Sequence, residues 1–182
     1  MYTKSTCTSS CIVHVLCNQC DFLGIKLKNI FYELKVTQFL EFPIEKVFHF
    51  FSNAKNLERI TPTNLHFVIK TPLPICMKQG TIIDFGLRIR GIPTKWSSLI
   101  SSYNPPNSFI DEQIKGPYLT WNHTHIFKEE NGGTTIVDKV KYSIPFGLLG
   151  RIINYLWVKK DLEAIFNYRS KTIKQIFNNY LE

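Results

Sequence analysis

GPYLTWNHTHIFKEENGG, residues 116–133, alternates as a β-strand does. A period of two puts Trp121, His123, His125 and Phe127 on one face, and Thr120, Asn122, Thr124 and Lys128 on the other. The second face suits water, so the first is the sheltered one. Asn131-Gly132-Gly133 then supplies a tight hairpin turn. TTIVDKVKY, residues 134–142, returns as the next strand with Asp138, Val140 and Tyr142 in register.

The same texture runs upstream. SFIDEQI, residues 108–114, carries Phe109, Asp111 and Gln113 on one side. Asn104-Pro-Pro-Asn makes the turn before it, and TKWSSLISSY, residues 94–103, presents Trp96, Ser98 and Ile100 together. Gly91 and Pro93 mark a turn after TIIDFGLRIR, residues 81–90, and LHFVIKT, residues 65–71, is read as a further strand. Before these lie two short helices: PIEKVFHFFSN, opened by Pro43, and NLERITP, capped by Asn53 or Asn56 and ended by Pro62. FYELKVTQFLEFP, from Phe31, begins the series as a strand with Tyr32, Leu34 and Val36 on one face.

Downstream, Pro145-Phe-Gly-Leu-Leu-Gly is a bend or a helix start. From Val158 to Leu181 there is no proline or glycine, and Leu162, Ile165, Phe166, Ile173, Ile176, Phe177 and Tyr180 recur at three and four residues. That is one long amphipathic helix without a continuous heptad seam, suited to lie on a sheet. The expected fold is α+β: a curved antiparallel sheet of about seven strands wrapped on a long C-terminal helix, with two short helices after the first strand. A single helix covers only one face of such a sheet, and a strongly curved sheet around it encloses a cavity.

The bulk numbers fit a folded domain: 182 residues, 44% hydrophobic and 20% charged. The net charge of +8 favours anionic surfaces or ligands, but the basic residues are dispersed and form no nucleic-acid arm, so nucleic acid is not an expected partner. No apolar run reaches the ~18 residues that span a bilayer. The apolar stretch from Cys11 to Cys17 is short, broken by His14 and lacks a cleavage pattern, so a secretory signal is not expected and a cytoplasmic protein is the default. Residues 1–30 carry Cys7, Cys11, Cys17 and Cys20, with Cys17 and Cys20 in C-x-x-C form. They are read as a disordered or non-native leader rather than a zinc knuckle, and 31–182 as the domain.

A set of short motifs is shared with a known group. Phe42-Pro-Ile-Glu-Lys-Val-Phe, Asn56-Leu-Glu-Arg-Ile-Thr-Pro, Gly91-Ile-Pro-Thr-Lys-Trp and Asn104-Pro-Pro come first. Asp111-Glu-Gln, Gly116-Pro-Tyr, Trp121-Asn-His-Thr-His-Ile-Phe, Pro145-Phe-Gly and Phe166-Asn-Tyr-Arg follow. Over 31–182 the chain resembles the START-like (SRPBCC) superfamily, close to bacterial ligand-binding SRPBCC or polyketide cyclase/dehydrase-like proteins. The resemblance implies a helix-grip fold with an internal hydrophobic pocket. It does not fix the function, since members bind lipids, quinones, hormones or polyketides and a few are enzymes.

Alternation and resemblance agree on an inward set: Trp96, Phe109, Asp111, Gln113, Trp121, His123, His125, Phe127, Asp138 and Tyr142. Buried charges need partners. Arg169 falls in the middle of the apolar stripe of the last helix, and is expected to pair with Asp111 or Asp138 unless it snorkels to the rim. His123 and His125, with Asp111 or Asp138 as a third donor, are a thinkable zinc set, but the spacing alone does not assign a metal, and no metal or cofactor is assigned. An aspartate beside a histidine can also do acid–base work, as in a cyclase or dehydratase. No nucleophile is evident, and Cys76 reads as a small buried residue. The leading expectation is a carrier or binder of a small hydrophobic or amphipathic molecule, with the aromatic residues as walls and the histidines as orienting groups. Residues 145–160 mix large apolar side chains with Arg151, Lys159 and Lys160. Either they touch an anionic membrane transiently, or Ile152, Ile153, Leu156 and Trp157 pack on the domain.

Overall fold

The computed structural model describes residues 30–179. The leader expected over residues 1–30, its four cysteines, and the end of the helical stripe at Tyr180 and Leu181 therefore lie outside the described residues, Ile30 apart.

Strand β1 (Phe31–Leu40) leads to helices α1 (Ile44–Phe51) and α2 (Ala54–Arg59). Pro43 stands at the N-cap of α1, where its missing N–H costs nothing, and Ile44, Val47 and Phe48 point inward at helical spacing. Of the two asparagines that suit a cap, Asn53 takes the role, accepting from the Lys55 amide at 3.1 Å.

Six more strands follow: β2 (Val68–Ile69), β3 (Ile82–Ile89), β4 (Ile92–Asn104), β5 (Ser108–Lys115), β6 (Thr120–Glu130) and β7 (Gly133–Ser143). They form one antiparallel sheet in the order β1-β7-β6-β5-β4-β3-β2. From β2 to β7 the strands are consecutive neighbours, and β1 closes against β7. Two connections are two-residue hairpins whose central residues both have positive φ: Arg90 and Gly91 between β3 and β4, Asn131 and Gly132 between β6 and β7. The β4–β5 ladder shifts register at Ser97/Ser98 and again between Ile100 and Ser102. Such irregularities bend a strand and tighten its twist, and these two fall in the middle of β4.

The last segment is helical from Gly147. Helix α3 (Gly147–Ile153) passes through a π turn (Asn154–Val158) directly into α4 (Lys159–Asn178). Leu162, Phe166, Ile173 and Phe177 of α4 are buried against the sheet. The helix thus begins about ten residues before the expected start at Val158.

Three local expectations fail for physical reasons. LHFVIKT yields only Val68 and Ile69 as strand, because a 3₁₀ turn takes Thr63–Leu65 and His66 turns left-handed. Pro93 lies inside β4 rather than in the turn; β5 pairs with β4 only from Ser97 onward, so this end of β4 has one free edge and tolerates a residue without an N–H. Cys76 is exposed, in the long connection before β3.

Two of the three apolar clusters among the described residues flank the middle of β6. One gathers Phe42, Phe48, Phe50, Phe109, Phe127 and Phe177 beneath α1. The other joins Val140, Tyr142, Leu162 and Phe166, with Trp121 at its margin. Along β6, Phe127 belongs to the first and Trp121 to the second. His123 and His125 stand between them.

Candidate functional site

Two rows of the sheet build the polar centre. Asp111 of β5, His123 of β6 and Val140 of β7 lie side by side in one row. Phe109, His125 and Asp138 lie side by side in the next. Residues two apart on a strand share a face, so all six point toward α4.

Within this patch two aspartates and two histidines alternate in a ring. His123 Nε2 is 3.1 Å from Asp138 Oδ1, and His125 Nε2 is 3.1 Å from Asp111 Oδ2. The ring closes with His125 Nδ1 at 2.7 Å from Asp138 Oδ1 and His123 Nδ1 at 3.4 Å from Asp111 Oδ2. The 2.7 Å contact is close but off-line, and so counts as an ion-pair contact, not an aligned hydrogen bond. The two imidazoles are 3.8 Å apart between centroids. Phe109 stacks on His125 at 4.1 Å, and Phe166 of α4 meets His123 edge-on at 5.4 Å.

Burial and neighbours set the direction in which each pKa moves. Burial alone would raise Asp138, but the charge of His125 and the hydrogen bond with His123 hold it far below the usual carboxylate range. Asp111 is likewise lowered: burial opposes ionisation, and His123, His125 and Arg169 outweigh it. For His125 burial lowers the pKa, but Asp138 and the bond to Asp111 win and raise it. For His123 burial and the charge of His125 win, and its pKa falls despite both carboxylates. His125 thus holds a second proton more readily than His123 does. His123 Nδ1 faces Asp111 Oδ2 across 3.4 Å, the longest contact of the ring.

Arg169 does not make the expected ion pair with Asp111 or Asp138. Both carboxylates already hold histidines, and the guanidinium instead lies 4.9 Å over the Phe166 ring of its own helix. Its charge is still felt at both aspartates, and its buried Nε has no hydrogen-bond partner among the described residues. Burial pulls its pKa down, and the two carboxylates pull it back up.

The ring separates two cavities. The larger, about 450 Å³, lies between α4, the β3–β4 arm and the 3₁₀ turn. Trp96 and Trp121 form part of its wall, and Asp111 and His123 its polar floor. The smaller, about 100 Å³, lies under α1 and α2 and is lined in part by Phe109, Asp111, His123, His125 and Arg169. Three of the remaining inward residues have structural partners instead. Gln113 clasps the 116–119 turn by donating to the Tyr118 carbonyl at 2.8 Å. Phe127 sits in the apolar cluster under α1. Tyr142 donates to Asn154 Oδ1 in the π turn at 2.9 Å. Asp138 lines neither cavity, and its close side-chain contacts are the two histidines.

Sequence reading did not assign several wall residues of the larger cavity: Leu57, Leu65, Phe67, Leu87, Tyr118 and Val158. Phe85 and Leu87 alternate on β3 with Asp84 and Arg88, which was the available signal. Leu65 and Phe67 sit in irregular chain and give none. At the rim, Arg90 holds Asp161 of α4 bidentately at 2.8 and 2.9 Å, and its guanidinium lies 5.4 Å over Trp157.

The neighbouring 145–160 segment does not pack down as one of its two readings had it. Ile152, Leu156 and Trp157 are 56%, 44% and 46% exposed; only Ile153 is half-buried. No helix among the described residues is long and apolar enough to cross a membrane.

No family model matches the chain, and no curated protein matches it in sequence. Solved structures do match in shape. The Staphylococcus aureus protein SA2116, of unknown function, superposes with a TM-score of 0.65 at 12% identity, over 85% of this chain and 98% of its own. TTHA0849 from Thermus thermophilus gives 0.61 at 18% identity, over 83% and 100%. Major latex-like protein 151 from Panax ginseng gives 0.60 at 10% identity, over 82% and 99%. With its seven-stranded curved sheet closed on one long helix, the chain has the helix-grip α+β fold expected from the START-like resemblance.

Proposed function

We propose that this protein binds a small hydrophobic or amphipathic molecule inside the sheet–helix cavity. The observation that carries the reading is the cavity itself: about 450 Å³, walled largely by aromatic and aliphatic side chains, with Asp111 and His123 among its few polar groups. That volume and that lining suit one small organic ligand with a polar end. A protein whose only task is surface contact would fill such a space with its own side chains, and this one does not. The Arg90–Asp161 pair and Trp157 stand at the rim, beside the exposed apolar turns of α3 and the π segment. Arg151, Lys159 and Lys160 flank those turns, so an anionic membrane surface is the partner they fit during ligand uptake.

Native mass spectrometry of the full chain, purified under mild conditions, tests this. The expected result is a reproducible added mass of a few hundred daltons that is lost on denaturation. A clean apo mass together with no uptake of an apolar fluorescent probe overturns it.

One observation favours a second reading. Of the four ring residues, Asp111 and His123 alone reach the larger cavity, as an acid–base pair for a cyclase or dehydratase would. A ligand recovered in cyclised or dehydrated form from wild type, but unchanged from Asp111→Asn, would make this protein an enzyme.

A further inference from the structure

Asp111, His123 and His125 each offer one donor atom such that all three lie within 4.8 Å of one another. From this juxtaposition we propose that the protein binds one divalent transition-metal ion of the zinc class between His123 Nδ1, His125 Nε2 and a carboxylate oxygen of Asp111. The inference goes beyond the binding of an organic molecule and does not depend on it.

The distances fit. His123 Nδ1 and His125 Nε2 stand 3.4 and 3.1 Å from Asp111 Oδ2. Two donors each about 2.1 Å from one ion lie about 3.0 Å apart at a right angle and about 3.4 Å apart at the tetrahedral angle. Two nitrogens and one carboxylate oxygen are also a donor set that zinc, cobalt and ferrous iron accept.

The surroundings fit as well. Each histidine turns its other nitrogen to the same group: His123 Nε2 lies 3.1 Å, and His125 Nδ1 2.7 Å, from Asp138 Oδ1. A carboxylate behind a metal-binding imidazole fixes the tautomer and ring angle and makes the facing nitrogen a better donor. One aspartate here serves two histidines. Each histidine would ligate as a neutral imidazole whose remaining N–H faces Asp138, so binding releases any proton on His123 Nδ1 or His125 Nε2 to solvent, and the cation shared with Asp111 takes its place.

The site keeps an open side. His123 and Asp111 border the larger cavity, so a fourth ligand reaches the ion from there. Arg169 sets its chemistry. Its guanidinium borders the smaller cavity beside the same residues, with Nε buried and without a hydrogen-bond partner among the described residues. Two carboxylates cannot neutralise a dication and a guanidinium together, so the open position favours an oxyanion: hydroxide, or the carboxylate, enolate or phenolate end of an amphipathic molecule.

The test uses the full chain, stripped with a chelator and titrated with Co²⁺ by visible absorption and with Zn²⁺ by calorimetry. One ion per chain is expected, with a nitrogen–oxygen cobalt spectrum free of thiolate charge-transfer bands, which separates this site from Cys7, Cys11, Cys17 and Cys20. His123→Gln abolishes that spectrum, and Asp138→Asn keeps one ion per chain but weakens it about 10- to 100-fold. The idea is overturned if wild type shows no such spectrum, shows thiolate bands alone, or keeps its spectrum in His123→Gln. Should that variant misfold, the wild-type spectrum and Asp138→Asn decide. Organic-ligand capture is read separately by mass, so either result can fail alone.

Discussion

Tyr142 shows how a single side chain couples the sheet to the helical tail. It is 2% exposed, and its hydroxyl donates to Asn154 Oδ1 within the π turn. Removing the hydroxyl leaves a buried acceptor unpaired, so Tyr142→Phe should cost about 1–2 kcal/mol near neutral pH, read by urea denaturation. Burial pushes the phenol up to about 12, with Tyr32 and Glu163 adding in the same direction. A raised folded-state pKa stabilises the fold below the unfolded value of about 10, and that contribution is lost as pH climbs toward 12. The destabilisation caused by Tyr142→Phe should therefore shrink between pH 9 and pH 12. Tyr118, packed on Tyr142 at 5.7 Å, shifts the same way and will keep some of the alkaline sensitivity in the variant.

At the scale of elements, two hairpins carry the clearest expectations. Gly133 opens β7 where β1 crosses, and a Cβ there would run into the Leu40 carbonyl oxygen and the Phe39 ring. Gly133→Ala should destabilise by about 2–3 kcal/mol, as overpacking against backbone does. Gly80→Ala, with positive φ but open space around it, should cost only about 1 kcal/mol; equal urea midpoints for the two would contradict this account. The β3–β4 hairpin is tied to α4 by Arg90 and Asp161, both substantially exposed. An exposed pair is worth at most about 1 kcal/mol, so Arg90→Ala should leave stability nearly unchanged. It should nonetheless speed release of a cavity-bound fluorescent probe, because the pair spans the rim. Unchanged stopped-flow release would mean that the probe leaves elsewhere.

For the whole molecule the question is whether one cavity governs binding. Leu87→Trp fills the wall of the larger cavity without touching the Asp–His ring. It should lower the affinity for an apolar probe about tenfold or more while the fold persists by circular dichroism. Retained affinity would place the ligand outside this cavity. The exposed 145–160 face predicts sedimentation with anionic vesicles at low salt, reduced by Trp157→Glu and absent with neutral vesicles.

The strand series, the hairpin at Asn131-Gly132 and the amphipathic tail were legible because each rests on local rules: period two, period 3.6 and residues that accept positive φ. More of the site was readable than spacing suggests. Counting back from that two-residue turn sets His125 directly opposite Asp138, as the ladder has it. The β5–β6 connection offers no such ruler, because GPYL is held by Gln113 and is not a standard two-residue turn, so Asp111 opposite His123 had to come from tertiary structure. Arg169 went the same way. Its place on the helix stripe follows from the chain, but which group reaches the carboxylates first depends on depth, and the two histidines are nearer. The cavity walls from Leu57, Leu65 and Phe67 come from short or irregular segments with no period to read. By itself the sequence determined the elements, their faces and the crowd of polar groups on one of them, since these depend on neighbours along the chain. Only the tertiary structure decided that those groups close into one ring between two cavities, because curvature, register across β5 and the seat of α4 are set by contacts far apart in sequence.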